Sequence, residues 1–130
     1  MNNPTALIVE DEYDISVIFA KALEAAGFET QVAYAGDTAL SWLSSTTPDV
    51  VVLDLNLPNV PGAEILQHIR TDARLASTKV IVATAYPDMA EGLHDDADCV
   101  LCKPVSFSQM RDLAKRFALA GRQQGPAANA

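Results

Sequence analysis

Glu10 and Asp11 form an acidic pair directly after a short apolar run; Asp54 and Thr84 each end another such run, and Lys103 follows a fourth. Carboxylates, a hydroxyl and an ammonium in such positions are the groups that handle a phosphoryl group. Three carboxylates brought together repel one another unless a hard cation joins them, and an all-oxygen set favours Mg²⁺, which keeps waters and needs few protein ligands. With phosphate added, each residue acquires a task. One carboxylate attacks phosphorus, the cation neutralises equatorial oxygens, and Lys103 and Thr84 bind the oxygens that remain. Asp54 is the expected nucleophile, because it stands alone after Val50-Val51-Val52-Leu53. The loop beyond it can bring the Asn56 backbone carbonyl back towards a cation held by Glu10, Asp11 and Asp54.

These residues need elements to position them. Leu7-Ile8-Val9 and Val50 to Leu53 are continuous apolar runs, as expected of central strands covered on both faces. Between them, Ile15, Ile18, Phe19, Ala22 and Ala26 mark one face of a helix that Gly27 ends. Residues 28–34 alternate as an outer strand, and Ala39, Leu40 and Leu43 mark a short helix with Trp42 beside the stripe. Ile65, Leu66 and Ile69 mark a third helix, Lys79 to Ala83 a fourth strand and Asp98 to Leu101 a fifth. Ser106 and Gln109 match a capping box that opens a last helix, with Phe107, Met110, Leu113, Ala114 and Phe117 as its core stripe. This alternation specifies a three-layer (βα)5 α/β fold with one parallel sheet, whose chemistry gathers at the carboxyl ends of the strands.

A chain of 130 residues with 49% hydrophobic residues supports one domain with its own core. The packing pattern fades near residue 119, so residues 1–119 read as the domain and 120–130 as a flexible tail. A net charge of −8 disfavours nucleic acid and anionic membranes as direct partners. Neither a signal peptide nor an apolar run of membrane-spanning length is visible, and the expected location is the cytoplasm. Cys99 and Cys102 have CxxC spacing, but within a strand they face opposite ways and read as packed thiols. Gly36 and Gly62 lack the surrounding pattern of a nucleotide-binding loop.

In their order along the chain, Glu10-Asp11, Asp54-Leu55-Asn56-Leu57-Pro58 with Gly62, Thr84-Ala85 and Lys103-Pro104 resemble the receiver domains of two-component response regulators, the CheY-like superfamily. The resemblance covers roughly residues 5–119 and implies a flavodoxin-like sheet of order 2-1-3-4-5. It implies that Asp54 takes phosphate from a sensor histidine kinase or a histidine phosphotransfer protein, with Mg²⁺ at Glu10, Asp11, Asp54 and the Asn56 carbonyl. It also implies that Thr84 follows the phosphoryl group, that Lys103 pairs with it, that the Lys103-Pro104 bond is cis, and that an unidentified downstream protein reads the result. Any catalysis is then limited to the domain's own phosphorylation and dephosphorylation.

Two departures from the family pattern stand out. Val100 occupies the position where members usually carry Tyr or Phe, so an aromatic rotamer switch is unavailable there. The span from Thr84 to Lys103 is also shorter than usual, and Pro87, Gly92 and the repelling acids Asp95, Asp96 and Asp98 argue against a long fourth helix. Tyr86 is expected to border the phosphorylation pocket. Two other functions compete: a receiver-like interaction domain that no longer uses phosphate, and an aspartyl-phosphate phosphatase. The phosphatase would need an acid two residues after the nucleophile, where Asn56 stands.

Overall fold

The protein is described by a computed structural model covering residues 3–129, with side chains described over 3–119. Five strands form one sheet: β1 (Thr5–Val9), β2 (Glu29–Ala33), β3 (Val50–Leu53), β4 (Lys79–Thr84) and β5 (Cys99–Cys102). All pairings are parallel, and the order is β2-β1-β3-β4-β5, the order expected. Four α-helices flank it: α1 (Tyr13–Ala25), α2 (Gly36–Ser45), α3 (Gly62–Thr71) and α4 (Phe107–Asn129). The α4 backbone is helical to Asn129, whereas the side chains of the expected 120–130 tail lie outside the described residues.

The period of the strands sorts the core into two layers. Leu7, Val9, Val51, Leu53, Val80 and Val82 pack with α2 and α3, while Ala6, Ile8, Val50, Val52, Ile81 and Ala83 pack with α1 and α4. Both faces of the central strands are therefore dry, which is why β3 could be four consecutive aliphatics without a polar alternate. The capping box forms as expected: the Gln109 N–H donates to Ser106 Oγ at 3.1 Å, and the Ser106 N–H donates to Gln109 Oε1 at 2.9 Å. Gly27 has φ 100°, the left-handed conformation that stops a helix cheaply only with glycine.

Two core assignments are corrected. Ile18 is 42% exposed and Phe107 38%, while Leu23, Ser16 and Met110 take the buried positions. Ile18 lies at the edge of the α1 stripe, and Phe107, at the first turn of α4, lies under the Arg111 guanidinium at 5.6 Å instead of under the sheet. Cys102 is exposed because β5 is an edge strand, so of the two thiols only Cys99 is half-buried.

The fourth crossover has no α-helix, only a 3₁₀ turn over Pro87–Ala90 followed by irregular chain. Arg70 of α3 holds it in the helix's place. Its Nε donates to the Asp96 carbonyl at 2.6 Å, Nη1 to the Thr78 carbonyl at 2.9 Å and Nη2 to Asp98 Oδ2 at 2.8 Å. Asp98 also accepts from the Val80 N–H at 2.7 Å. Asp98 therefore does not add to a repelling acidic run, as the sequence suggested, but pins the crossover to α3 and β4. Among the described residues, no helix is long and apolar enough to cross a membrane.

Candidate functional site

Sheet register brings the singled-out residues together. Val9, Leu53 and Val82 are level across the three central strands, so the residues after them emerge side by side. Backbone bonds continue the ladder past the strand ends: the Asp54 N–H donates to the Val9 carbonyl at 3.0 Å, and the Lys103 N–H to the Thr84 carbonyl at 2.8 Å. Glu10, Asp11 and Asp54 consequently offer carboxylate oxygens within 4.8 Å of one another. Lys103 Nζ lies 2.6 Å from Glu10 Oε1 and 3.4 Å from Asp54 Oδ2. The Lys103-Pro104 peptide bond is cis, as expected.

Asp11, Asp54 and Lys103, with Glu12, Asn56 and Tyr86, line an open cleft of about 380 Å³. Glu10 is 1% exposed, Asp54 6% and Lys103 12%, so the charges are largely removed from water. Burial pushes the Glu10 carboxyl from 4.5 up to about 7; the Asp54 charge adds to the rise, and the Lys103 hydrogen bond only partly opposes it. Burial alone lowers the Lys103 ammonium, but its hydrogen bond to Glu10 and the Asp54 and Glu10 charges reverse this and leave it above 10.5. The two shifts agree: one ammonium serves two deep carboxylates, so negative charge is in surplus. A surplus carried on hard oxygen ligands beside an open cleft is what a hydrated divalent cation relieves, and the residues present fit Mg²⁺.

Backbone geometry sets the nucleophile candidate. The Asn56 N–H donates to Asp54 Oδ1 at 3.1 Å, which orients the carboxylate at the cleft floor. Gly62 begins α3 directly against the Asp54 carbonyl and the Leu55 Cα, with no room for a β-carbon. This contact fixes the end of β3, and sequence reasoning noticed the glycine without its cause. Thr84 is fully buried. Its Oγ1 accepts from the Tyr86 N–H at 3.0 Å and lies 3.3 Å from the Tyr86 carbonyl, so the hydroxyl is engaged by the crossover and Thr84 does not line the cleft. Tyr86 does line it, as expected, and is 55% exposed. A second hollow of about 270 Å³, beside Trp42 and Pro48, contains Glu29 as its one charged residue and gathers no comparable chemistry.

The sequence model of the response regulator receiver domain matches residues 6–115. The chain belongs to that family, the phosphoacceptor modules of two-component signalling. It is 35% identical over 122 residues to the DNA-binding dual master transcriptional regulator RpaA of Synechocystis, covering 92% of this chain and 50% of that protein. It thus spans about half the length of that relative. It is 30% identical over 120 residues to sporulation initiation phosphotransferase F of Bacillus subtilis, covering 90% of this chain and 95% of that one. The chemotaxis response regulator CheY4 of Vibrio cholerae shares the fold, with a TM-score of 0.80 at 24% identity over 89% of this chain and 99% of that one.

Proposed function

We propose that Asp54 is the phosphoacceptor of this receiver domain. The observation that carries the reading is the convergence of three carboxylates within 4.8 Å around an ammonium that reaches Asp54 at 3.4 Å. An Asp54 oxygen attacks the phosphorus of a phosphohistidine, the P–N bond breaks, and the imidazole leaves with its bonding pair and takes up a proton. Glu10, Asp11, Asp54 and the Asn56 carbonyl would hold Mg²⁺, which when bound would offset the charge of the phosphoryl oxygens. Lys103 exchanges part of its contact with Glu10 for one of those oxygens. Thr84 donates to another, giving up the bond it donates to the Tyr86 carbonyl. Asn56 and Tyr86 flank the path of the water that later hydrolyses the acyl phosphate.

The donor in this reading is a sensor histidine kinase or histidine phosphotransfer protein in the cytoplasm, and the product is a changed surface read by a downstream protein. Asn56 carries an amide in place of an acid that could protonate a leaving group, so the residues do not favour a phosphatase. Titration with beryllofluoride and Mg²⁺, followed by backbone NMR, tests the reading. Shifts at residues 10–11, 54–56, 84–86 and 103 are expected. An unchanged spectrum at saturating reagent contradicts it.

A further inference from the structure

We propose that the hollow beside Trp42 is a binding site for a small aromatic ammonium, a free molecule whose apolar body lies against Trp42 and Leu7 and whose cationic group meets Glu29. The hollow stands at the opposite end of the sheet from the phosphorylation cleft: Thr5 and Glu29, which line it, are the first residues of β1 and β2, whereas the cleft gathers at the carboxyl ends of the strands. The proposal does not depend on the phosphoacceptor reading.

Register and alternation build the hollow. Thr5 is level with Glu29, and Leu7 with Gln31, across β1 and β2. Side chains two apart along a strand share a face. Leu7 and Ala33 belong to the core layer that packs with α2, so Thr5, Glu29 and Gln31 point to that side as well. Thr30 shows the other face, where its Oγ1 donates to Glu24 Oε2 of α1 at 3.0 Å. Trp42, in the last turn of α2, packs on the same layer as Leu7, and Pro48 completes the wall. The resulting cavity of about 270 Å³ is near the small end of the roughly 300–1,000 Å³ of ligand sites, and suits a molecule with one ring. β2 is an edge strand and both Glu29 and Gln31 are exposed, so a ligand can enter from that side.

Charge selects an ammonium. Glu29 is the one charged residue lining the hollow, and it takes part in no ion pair among the described residues. Asp49, whose Oδ2 accepts the Thr5 N–H at 2.8 Å, adds negative charge at the same end of the sheet. Arg74 donates to the Thr46 carbonyl at 2.7 Å but does not line the hollow, and its guanidinium is engaged by Thr47 Oγ1 at 2.8 Å and by the Leu43 carbonyl. The Thr46 hydroxyl is engaged too, since its Oγ1 donates to the Trp42 carbonyl at 2.6 Å. The Glu29 carboxylate and the Gln31 amide oxygen remain to accept N–H groups from a ligand, beside an apolar wall of Trp42, Leu7 and Pro48. A neutral guest would leave the carboxylate without a partner, and an anion would be repelled by it.

Trp42 is the sole tryptophan of the chain, so its fluorescence reports the hollow directly. The test titrates the full chain at pH 7 and low salt with phenethylammonium, and with phenethyl alcohol and phenylacetate as neutral and anionic molecules of similar shape. Phenethylammonium is expected to give a saturable change, with amide shifts centred on residues 5–7, 29–31 and 42–48. Phenethyl alcohol should bind about two- to fivefold more weakly, and phenylacetate more weakly still. Glu29 is exposed, so Glu29→Gln should keep the fold while bringing the ammonium down to the affinity of the alcohol. No saturable change, equal binding of the three molecules by the parent, a Glu29→Gln variant that binds the ammonium like the parent, or shifts centred on residues 10–12 and 54–56 would overturn the proposal. Nα-acetyl-lysine amide binding as tightly as phenethylammonium would also overturn it, giving the site to a lysine side chain of a partner protein.

Discussion

Replacing Glu10 by Gln should stabilise the metal-free domain at alkaline pH and remove most of a pH dependence that the parent shows. Folding raises the Glu10 pKa from 4.5 to about 7, so the native state binds this proton more tightly than the unfolded chain does. Below the unfolded value both states are protonated and the full stability is present; as pH rises to the folded value the native state is left with a buried, surplus carboxylate and stability is lost. At ~1.4 kcal/mol per unit, the shift amounts to about 3 kcal/mol between acid and alkaline limits. Glu10 is 1% exposed, so water does little to screen this cost. The Lys103 ammonium is held above the ordinary lysine range by Glu10 and Asp54, against the effect of burial, and keeps its charge throughout the window; its own contribution is lost only at more alkaline pH. Urea melts in EDTA at several pH values between about 4.5 and 8 should therefore show the parent losing stability as pH rises. Glu10→Gln, which can still accept from Lys103, should be more stable than the parent at pH 8 by about 2–3 kcal/mol, or on the order of 10 °C in melting temperature. Adding Mg²⁺ should recover stability in the parent and recover less in the variant. Equal pH slopes in the two proteins, or a variant no more stable at pH 8, would refute the charge-surplus reasoning.

Lys103→Ala should still be labelled on Asp54 but fail to transmit the change, so that phosphorylation shifts seen far from the site in parent NMR spectra disappear; identical distant shifts would exclude Lys103 as the transmitting contact. Arg70→Ala should cost about 2 kcal/mol and speed amide exchange across residues 91–98 while leaving Mg²⁺ affinity unchanged, because two of its three hydrogen bonds hold the crossover and none reaches the cleft. Exchange rates equal to the parent's would show that the apolar contacts of Ala90 and Leu93 suffice. Gly62→Ala should cost about 1–3 kcal/mol and weaken Mg²⁺ binding measured by calorimetry, since a β-carbon there displaces the Asp54 carbonyl. Unchanged metal affinity would mean that the end of β3 is fixed by other contacts.

The central strands were legible because burial on both faces leaves a continuous aliphatic run, and each such run ended on a residue with chemistry to do. Period and capping placed the helices, with errors at stripe edges such as Ile18, where a helical wheel cannot tell a packed flank from an open one. The missing fourth helix was legible from Pro87, Gly92 and the short span, but its replacement was not. Arg70 reaches Asp98 across two elements, and no local pattern encodes a contact set by how α3 crosses the sheet. The same holds for Gly62, whose need for hydrogen in place of a side chain is set by the end of β3. The acidic pair, Asp54 and Lys103 could be read as a site from their strand ends, whereas the surplus charge on Glu10 depends on burial that appears only when the strands are aligned. The engagement of Thr84 by Tyr86 likewise depends on the turn after β4 and has no signature in residue type.

Intact mass after incubation with acetyl phosphate and Mg²⁺ tests the central claim most directly. The parent should gain one phosphoryl group, about 80 Da by covalent arithmetic, and lose it slowly or on acid or hydroxylamine treatment as an acyl phosphate does. Asp54→Asn should gain nothing under the same conditions. Equal labelling of Asp54→Asn, or a parent that stays unmodified while its fold is intact, would contradict the assignment of Asp54 as the phosphoacceptor.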